Sequence, residues 1–521
     1  MKKYIFLWTS LLLLLIASCT EDKGNYTYSE VNKIQIDSIK TYRITQFDTL
    51  TIEPYISQTL GTDESNLEYL WYWFPSGEMR MQIDTIGHEK TLKHYAAAQP
   101  GVYETRLKVT DKTTGVYSRK DFQVTIEADN SGFLVLSEIE GKANLAIINM
   151  ANKCFQDVYY AANNEFAGSN PVGIADVDNQ RKYIHDIVIL CKDENGGVIV
   201  DPDNFKKKGS FSDMFFVSPK TINPNSYVSV FAEYSSGNRI TYDFIINDGR
   251  LYNKDYSDVD WGTILKYRPE ILGDYELSPH AFLYENSLIF YDNKNYCFRV
   301  LNCAREEIST NKFSPAPLPE GTDISTLPFD PNNVGLELVY GAEGWKKKSY
   351  LAGYGYGIFK VPGSQQASDY YCLKFNIGRK VSYTPPYGEY LTPFAKHQIT
   401  DAPNIEKATS FIMSKADPYL YYSYENKIYS YDLEYDKSKV IYDADTTAVG
   451  PGSKIDHLYL RPGKDYRYSL KLWAGSSKAD GSKKNGSLHL LNLGRNGDVM
   501  SIDTIYQNIC GKVIGLAYKR R

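Results

Sequence analysis

The sequence predicts an all-β protein, with an N-terminal β-sandwich followed by a β-propeller of about seven blades. Short apolar strands recur along the chain between turns rich in Asp, Asn and Gly. Tyrosine, which is enriched in strands, accounts for 45 of the 521 residues. No segment shows sustained helical periodicity. Strands therefore supply the whole predicted architecture.

The first 18 residues have the features of a signal peptide. Lys2 and Lys3 form a short positive region, and residues 5–16 are an apolar run interrupted only by two hydroxyl residues. The run is too short to span a bilayer as a permanent helix, and small residues follow it. Ser18 then precedes Cys19, an order that resembles a bacterial lipobox. The resemblance implies cleavage after Ser18 and diacylation of Cys19.

Residues 19–33 are polar and suit a tether between a lipid anchor and the first folded domain. Thr20-Glu21-Asp22 follows the cysteine directly, and acidic residues at this place resemble the surface-export signal of Bacteroidota lipoproteins. We therefore expect an outer-membrane protein that is lipid-anchored and faces the cell exterior.

Residues 34–128 predict the β-sandwich. An aromatic strand, residues 69–74, is stopped by the turn cluster Pro75-Ser76-Gly77. Residues 102–109 and 122–126 alternate between apolar and polar side chains, as half-buried strands do. Several short strands separated by turn signals indicate a sandwich.

The stretches EYLWYWF, PGVYETRLKVTD and KDFQVTIEA together resemble a polycystic-kidney-disease (PKD) domain, which has an immunoglobulin-like fold. With the lipobox and the opening CTEDKGNYTY, the chain resembles the PKD-like family lipoproteins of Bacteroidota. The Gly-Asp-Gly that often follows the aromatic strand is replaced here by Phe74-Pro75-Ser76-Gly77. The resemblance implies association with SusC/SusD-like outer-membrane nutrient importers.

Residues 132–521 predict the propeller. A unit of apolar strand, Asp/Asn/Gly turn and second apolar strand recurs about seven times, so 390 residues give about 56 per unit, close to a propeller blade with insertions. No residue motif recurs with it, and six or eight blades stay open. The alternative is a second β-sandwich region in place of the propeller.

Charge and motif content argue against several functions. The net charge of −5 argues against non-specific nucleic-acid binding. The seven histidines never adopt a metal-binding spacing, and no nucleophile elbow or P-loop occurs, so we expect no metal, no cofactor and no enzyme. Acidic turns at 193–197 and 201–204 are interpreted as hairpin chemistry. The six cysteines after Cys19 are interpreted as small buried hydrophobes.

One aromatic region is the candidate ligand site. Stacking on sugar rings or gripping of peptide backbones suits aromatic side chains with polar neighbours. The glycine-rich stretch 353–357 lacks the Lys and helix of a phosphate loop and is interpreted as an aromatic loop or strand. The candidate ligand-binding residues are Trp345, Tyr354, Tyr356, Tyr383 and Tyr387.

The sequence thus predicts a surface lipoprotein that acts as a non-catalytic accessory of a SusC/SusD-like complex. It would bind a peptide or a glycan, with peptides slightly ahead on family association alone. One alternative is a docking scaffold that touches no nutrient. A second alternative is a surface hydrolase whose carboxylates come from distant blades.

Overall fold

A computed structural model describes residues 30–37, 39–61, 63–77, 83–127, 131–179, 184–233, 239–255, 266–284, 287–302, 314–316, 318, 321–344, 352–379, 389–461 and 466–520. The chain divides into two compact units. Unit 1 contains the residues up to 43 together with 49–94 and 101–125, and unit 2 contains the remainder. Two short segments inside the range predicted for the sandwich, 44–48 and 95–100, therefore belong to unit 2. Phe47 explains the first of them, because its ring packs in a hydrophobic core of that unit.

Unit 1 is the β-rich domain predicted from the sequence. Its largest sheet has the strand order β2-β9-β8-β5-β6, and two small sheets pair β1 with β4 and β3 with β7. The strands are β1 (Ile34–Asp37), β2 (Tyr42–Thr45), β3 (Thr49–Ile52), β4 (Tyr55–Gln58), β5 (Leu67–Pro75), β6 (Asp84–Gly87), β7 (Leu92–Tyr95), β8 (Gly101–Asp111) and β9 (Tyr117–Glu127).

The aromatic strand β5 forms the centre of this domain. It pairs with β8 along its whole length, with Trp71 opposite Leu107. Alternate side chains of a strand point to the same face, so Trp71 and Trp73 share one face of the sheet, and both are buried. The Trp71 indole donates to the Glu89 carbonyl at 2.7 Å, which satisfies its polar atom within the core.

Unit 2 contains seven sheets within the described residues, which confirms a propeller-like fold with seven blades. Blade 1 combines the C-terminal strand β36 (Lys512–Lys519) with β10 (Gly132–Ile139), β11 (Lys142–Asn149) and β12 (Cys154–Phe155), in the order β12-β11-β10-β36. Each later blade is built from consecutive strands.

The strands of blades 2 to 4 are β13 (Pro171–Asn179), β14 (Ile184–Cys191), β15 (Gly197–Val200) and β16 (Lys207–Ser210) in blade 2, β17 (Pro224–Glu233), β18 (Arg239–Asn247) and β19 (Arg250–Asp255) in blade 3, and β20 (Leu277–Tyr284), β21 (Ser287–Asp292), β22 (Cys297–Asn302) and β23 (Ser314–Pro315) in blade 4.

The strands of blades 5 to 7 are β24 (Glu337–Glu343), β25 (Ala352–Lys360), β26 (Tyr370–Arg379) and β27 (Glu389–Gln398) in blade 5, β28 (Ser410–Met413), β29 (Tyr419–Tyr424), β30 (Lys427–Asp432) and β31 (Lys437–Asp443) in blade 6, and β32 (Ser453–Leu460), β33 (Lys471–Lys478), β34 (Gly486–Leu493) and β35 (Val499–Cys510) in blade 7.

Hydrophobic clusters join the blades into a ring. Seven clusters of buried side chains are present among the described residues, and each draws on two adjacent blades. The last of them joins blade 7 to blade 1, for example through Trp473 and Val135. Both faces of a blade are therefore covered, which explains why strands such as β14 are apolar along several consecutive residues instead of alternating.

The first strands of neighbouring blades are also joined by polar side chains. Tyr340 Oη of blade 5 accepts the Met413 N–H of blade 6 at 3.1 Å. Ser410 Oγ of blade 6 accepts the Leu458 N–H of blade 7 at 3.0 Å. Asp456 of blade 7 hydrogen-bonds the backbone of Val513 in blade 1. These bonds bridge consecutive blades through strands at one edge of each sheet.

A single α-helix lies within the described residues, α1 (Val158–Asn163), on the connection from blade 1 to blade 2. The described cysteines of unit 2 are free thiols, four of them buried, which agrees with their interpretation as small hydrophobes: Cys154 (half-buried), Cys191, Cys297, Cys372 and Cys510. No helix of the described residues is both long enough and apolar enough to cross a membrane.

Candidate ligand-binding surface on blade 5

The structure describes two of the five residues in the predicted ligand site. Tyr354 and Tyr356 both lie on β25 of blade 5, so the glycine-rich stretch around them is strand and not loop. Trp345, Tyr383 and Tyr387 lie outside the described residues, as does the lipidation residue Cys19.

The glycines of this strand make room for aromatic rings. A Cβ on Gly355 would lie 2.3 Å from the Phe375 ring, and a Cβ on Gly357 would lie 2.4 Å from the Phe359 ring. Any larger residue at either position would displace a packed ring. The alternation of Gly and Tyr is thus a packing device and has no relation to phosphate binding.

A lysine lies over the tyrosines. The Nζ atom of Lys374, on β26, is 4.5 Å from the ring centroid of Tyr354 and 5.2 Å from that of Tyr356. The same atom is 5.1 Å from the ring of Phe394, on β27. These distances are those of cation–π contacts, in which the ring faces attract the ammonium group.

The three rings differ in exposure. Tyr356 is buried, with 1% of its surface accessible, whereas 56% of Phe394 is exposed. Tyr354 lies between them and is half-buried, with its ring centroid 6.0 Å from that of Phe394. Tyr354, Phe394 and Lys374 form a surface, hereafter the blade 5 surface, and Tyr356 forms its base.

The hydroxyl of Tyr356 is a polar group left inside this base. It is buried and has no hydrogen-bond partner among the described residues. Burial raises the pKa of Tyr356, and the nearby Cys372 and Glu434 act in the same direction, so the hydroxyl stays protonated at neutral pH. A buried hydroxyl without a partner costs free energy.

Sequence reasoning missed Lys374 and Phe394. Phe394 lies at a register shift in the pairing of β26 with β27: Lys374 pairs with Ala395 and Phe375 with Pro393, so Phe394 is the extra residue. Such a bulge re-aims the side chains beside it. No local sequence pattern predicts this bulge, because it depends on pairing between residues about twenty positions apart in the chain.

A cleft with a volume of about 530 Å³ lies in unit 1. Glu64 accepts hydrogen bonds from Lys90 Nζ at 2.7 Å and from Tyr69 Oη at 3.1 Å on its walls. Lys112 Nζ donates to the Ser65 carbonyl at 2.7 Å. The lining is mainly polar and charged, so the cleft offers little apolar surface for burial of a ligand.

A buried Ser–His pair in unit 2 has the geometry of a nucleophile and a base. Ser476 Oγ lies 2.8 Å from His489 Nε2, and Tyr442 Oη lies 2.8 Å from His489 Nδ1. Burial lowers the pKa of His489 to about 4. His489 and Ser476 have 0% and 1% exposure, so no substrate reaches them in this structure. Tyr442, His489 and Ser476 thus form a hydrogen-bonded polar network that links blade 6 to blade 7.

The acidic turns use their carboxylates on the backbone, as predicted. Asp193 accepts the N–H groups of Ser169, Asn195 and Gly197. Asp201 accepts those of Asp203 and Asn204. Across the part of the chain that the structure describes, no group of three His, Cys, Asp or Glu residues is arranged to hold a metal ion.

Comparison with known proteins supports the N-terminal assignment. Residues 19–171 match the model of the PKD-like family, which agrees with the resemblance found in the sequence. That match covers less than a third of the chain. None of the curated proteins matches the sequence.

Several solved structures are similar in form. A quinonprotein alcohol dehydrogenase-like protein from Bacteroides thetaiotaomicron has 13% identity and a TM-score of 0.45, with 91% of this chain and 97% of that chain covered. AztD from Citrobacter koseri has 10% identity and a TM-score of 0.30, covering 87% and 97%. The β-propeller domain of Cps50 (Swd1) from Myceliophteria thermophila has 10% identity and a TM-score of 0.28, covering 60% and 94%. Such distant likeness says nothing about activity.

Proposed function

We propose that this protein is a lipid-anchored outer-membrane lipoprotein that binds a nutrient ligand, without catalysing a reaction, for a SusC/SusD-like uptake complex. The signal-peptide pattern ending at Cys19 and the PKD-like match support the location and the setting. The ligand-binding part of the proposal depends on one observation, the blade 5 surface.

The blade 5 surface supplies two kinds of contact to a ligand. Phe394 and Tyr354 offer ring faces for stacking, and Lys374 offers a cation held over those rings. Rings with a few fixed polar groups suit a peptide or a glycan.

The binding experiment compares ring-deleted variants with wild type. Tyr354→Ala and Phe394→Ala are tested by isothermal titration against a tryptic casein digest and against xylo-, manno- and malto-oligosaccharides. We expect the affinity for the ligand that binds to fall about tenfold or more, since stacking contacts and their buried area are lost.

Tyr117→Ala is the matched control, because this tyrosine is 59% exposed on β9 of unit 1 and also has a lysine over its ring, with Lys108 Nζ 4.6 Å from the ring centroid. It should bind as wild type does. Unchanged affinity in both ring-deleted variants would remove the blade 5 surface from the proposal.

The anchoring experiment follows lipid on the chain in cells. We expect an alkyne-palmitate label on the wild type, which Cys19→Ala loses together with its place in the outer-membrane fraction. Digestion of the wild type by proteinase K added to intact cells is expected if the protein faces the exterior. A Cys19→Ala protein that keeps its label would contradict the proposed anchor.

The docking-scaffold alternative is favoured by a different surface. Met500 and Ile502 are 68% and 44% exposed on β35, the outer strand of blade 7. Exposed apolar side chains on a strand edge suit contact with another protein. If this alternative holds, Met500→Ser with Ile502→Ser should abolish co-purification of SusC/SusD-like partners, and the wild type should bind none of the peptides and oligosaccharides in the titrations. Wild-type recovery of such partners by the double variant would count against it.

A further inference from the structure

A pair of exposed aromatic rings lies on the connection between blades 1 and 2, far along the chain from the blade 5 surface. Tyr160 is 40% exposed and Phe166 is 41% exposed. Their ring centroids are 5.1 Å apart, with an angle of 50° between the ring planes. The two rings form one small continuous apolar surface, hereafter the Tyr160–Phe166 platform.

The segment that carries the platform is held rigidly. Asn163, the last residue of α1, donates from Nδ2 to the carbonyls of Tyr159 and Phe205, both at 2.8 Å. Its Oδ1 accepts the Lys207 N–H at 2.9 Å. One amide thus uses both of its donors and its acceptor to fix the helix against blade 2. Fixing a surface before binding lowers the entropy cost of the complex.

The ends of α1 are fixed as well. Asp157 and Asn164, on either side of the helix, both have φ of 56°, in the left-handed region. Asp157 accepts hydrogen bonds from Asn144 at 2.8 Å and from Lys484 at 2.5 Å. Non-glycine residues in this region of φ are held there by their surroundings. The exposure of the two rings is therefore built into the fold.

A carboxylate next to the platform in the chain pairs with an ammonium group. Glu165 directly precedes Phe166, and its Oε1 lies 3.5 Å from Lys207 Nζ. The same carboxylate accepts the hydroxyl of the buried Tyr159 at 3.2 Å, which orients it. The side chains of Glu165 and Lys207 remain 51% and 36% exposed, so both have capacity for further hydrogen bonds.

We propose that the Tyr160–Phe166 platform is a saccharide-binding site. A sugar ring has an apolar face of C–H groups and an edge of hydroxyl groups. The aromatic rings would take the face, and the Glu165 carboxylate and Lys207 ammonium would accept from and donate to the hydroxyls. Two rings offer too little area for a stable protein interface, and the ion pair beside them disfavours a lipid tail.

This inference goes beyond the proposed function, because the platform shares no residue with the blade 5 surface. It also names a ligand class, which the proposed function leaves between peptide and glycan. The two can therefore fail separately.

The test is affinity electrophoresis of the full chain in native gels that contain soluble xylan, mannan, mixed-linkage glucan or amylopectin. We expect one of these polysaccharides to retard the wild type. Tyr160→Ala and Phe166→Ala should each weaken the interaction about tenfold or more, and Glu165→Gln should weaken it less. The conservative changes Tyr160→Phe and Phe166→Tyr should keep the retardation, which separates loss of the platform from damage to the fold.

Two control variants make the outcome decisive. Tyr435→Ala removes an exposed ring elsewhere in unit 2 and should be retarded as wild type is. Tyr354→Ala with Phe394→Ala tests the blade 5 surface in the same gels. If only the Tyr354→Ala, Phe394→Ala double variant abolishes the retardation, saccharide binding by the platform is contradicted and the proposed function is not. Absence of retardation in all four gels would also contradict saccharide binding by the platform.

Discussion

Two interfaces between blades of unit 2 differ in the side chains that they bury: one buries aromatic rings and the other also buries charged groups. Blades 4 and 5 meet through aromatic rings: the ring centroid of Phe298 lies 4.9 Å from that of Phe375, and that of Tyr291 lies 5.0 Å from that of Phe359. Blades 2 and 3 meet through an apolar cluster that also encloses charged groups. Asp186, Asp243 and Lys254 are 8%, 1% and 5% exposed there.

The charged interface is organised by strand pairing. Asp243 on β18 is directly opposite Lys254 on β19. Asp186 on β14 of blade 2 is 2.5 Å from Lys208 Nζ. Burial lowers the pKa of Lys254, while the charges of Asp243 and Asp186 act against that shift. Lys254 Nζ also lies 5.6 Å from the ring centroid of Tyr267.

The contrast shows that the faces of a blade must be buried against its neighbours, but that the buried side chains need not all be apolar. Rings between blades 4 and 5 gain from burial alone. The charges between blades 2 and 3 are tolerated because opposite charges lie together, and each depends on its partner. The first interface should therefore lose stability in proportion to the volume removed, and the second in proportion to the charge left unbalanced.

The largest effect is expected from Phe298→Ala. Phe298 is completely buried, and its removal opens a cavity among rings that cannot collapse into it. We expect the free energy of unfolding, measured by urea denaturation, to fall by about 4 kcal/mol. Phe394→Ala is the control within blade 5, because 56% of that ring is exposed, and should cost under about 0.5 kcal/mol. A loss below about 1 kcal/mol for Phe298→Ala would contradict the cavity argument.

Lys254→Met tests the charged interface and is expected to cost about 3 kcal/mol. The change keeps most of the side-chain volume but removes the buried cation opposite Asp243, whereas Asp186 keeps its pair with Lys208. Adding Asp243→Asn should restore part of the loss, since the uncompensated charge is removed. Lys208→Met is the control; 45% of the Lys208 side chain is exposed, so its pair with Asp186 should contribute at most about 1 kcal/mol. A double variant no more stable than Lys254→Met would show that volume, and not charge, decides this interface.

Asp456→Asn tests the interface between blade 7 and blade 1, which combines an apolar cluster with a buried carboxyl group. Burial raises the pKa of Asp456 to about 6, although Ser477, Lys512, the Val513 N–H and Lys454 act against it. The folded state then binds the proton more tightly than the unfolded chain, so wild-type stability should fall as the pH rises from about 4 to about 6. The Asn variant should lack this fall and gain about 2 kcal/mol relative to wild type between pH 4 and pH 7.5.

The measurement is urea denaturation of both proteins at the two pH values. Asp503→Asn is the control, because this aspartate pairs with Lys471 at 2.7 Å and its side chain is 43% exposed. It should follow the wild-type pH dependence. A constant difference between Asp456→Asn and wild type across the range would remove Asp456 as the source of the dependence.

Much of the fold was predictable because strand burial leaves a local signal. The runs on β14 and β15 are apolar since both faces of a blade are covered, and their recurrence gave the number of blades. The charged interface left no such signal: Asp243 and Lys254 look like solvent-facing strand residues, and only pairing across the blade buries them. The prediction of the ligand site was incomplete for the same reason: Tyr356 is buried by packing against blade 6, which the local sequence does not indicate.

The smallest effect concerns two lysines that reach from blade 7 to blade 1. Lys483 Nζ lies 3.0 Å from Glu140, and both side chains are mostly exposed, at 70% and 64%. Lys484 Nζ lies 2.5 Å from Asp157, where both are 37% exposed, and it also bonds Gln156. Exposed ion pairs contribute little because water screens them.

We therefore expect Lys483→Met to change the free energy of unfolding by under about 0.5 kcal/mol and Lys484→Met by about 1 kcal/mol. Raising the salt concentration during urea denaturation should shrink the second loss, since its origin is electrostatic. Equal losses would mean that local exposure does not set the strength of these contacts, and would weaken the same reasoning for Asp186 and Asp243. Unequal losses of this small size would indicate that blade 1 is stabilised next to α1 mainly by buried hydrogen bonds, such as those of Asn163. Its surface ion pairs would then contribute little.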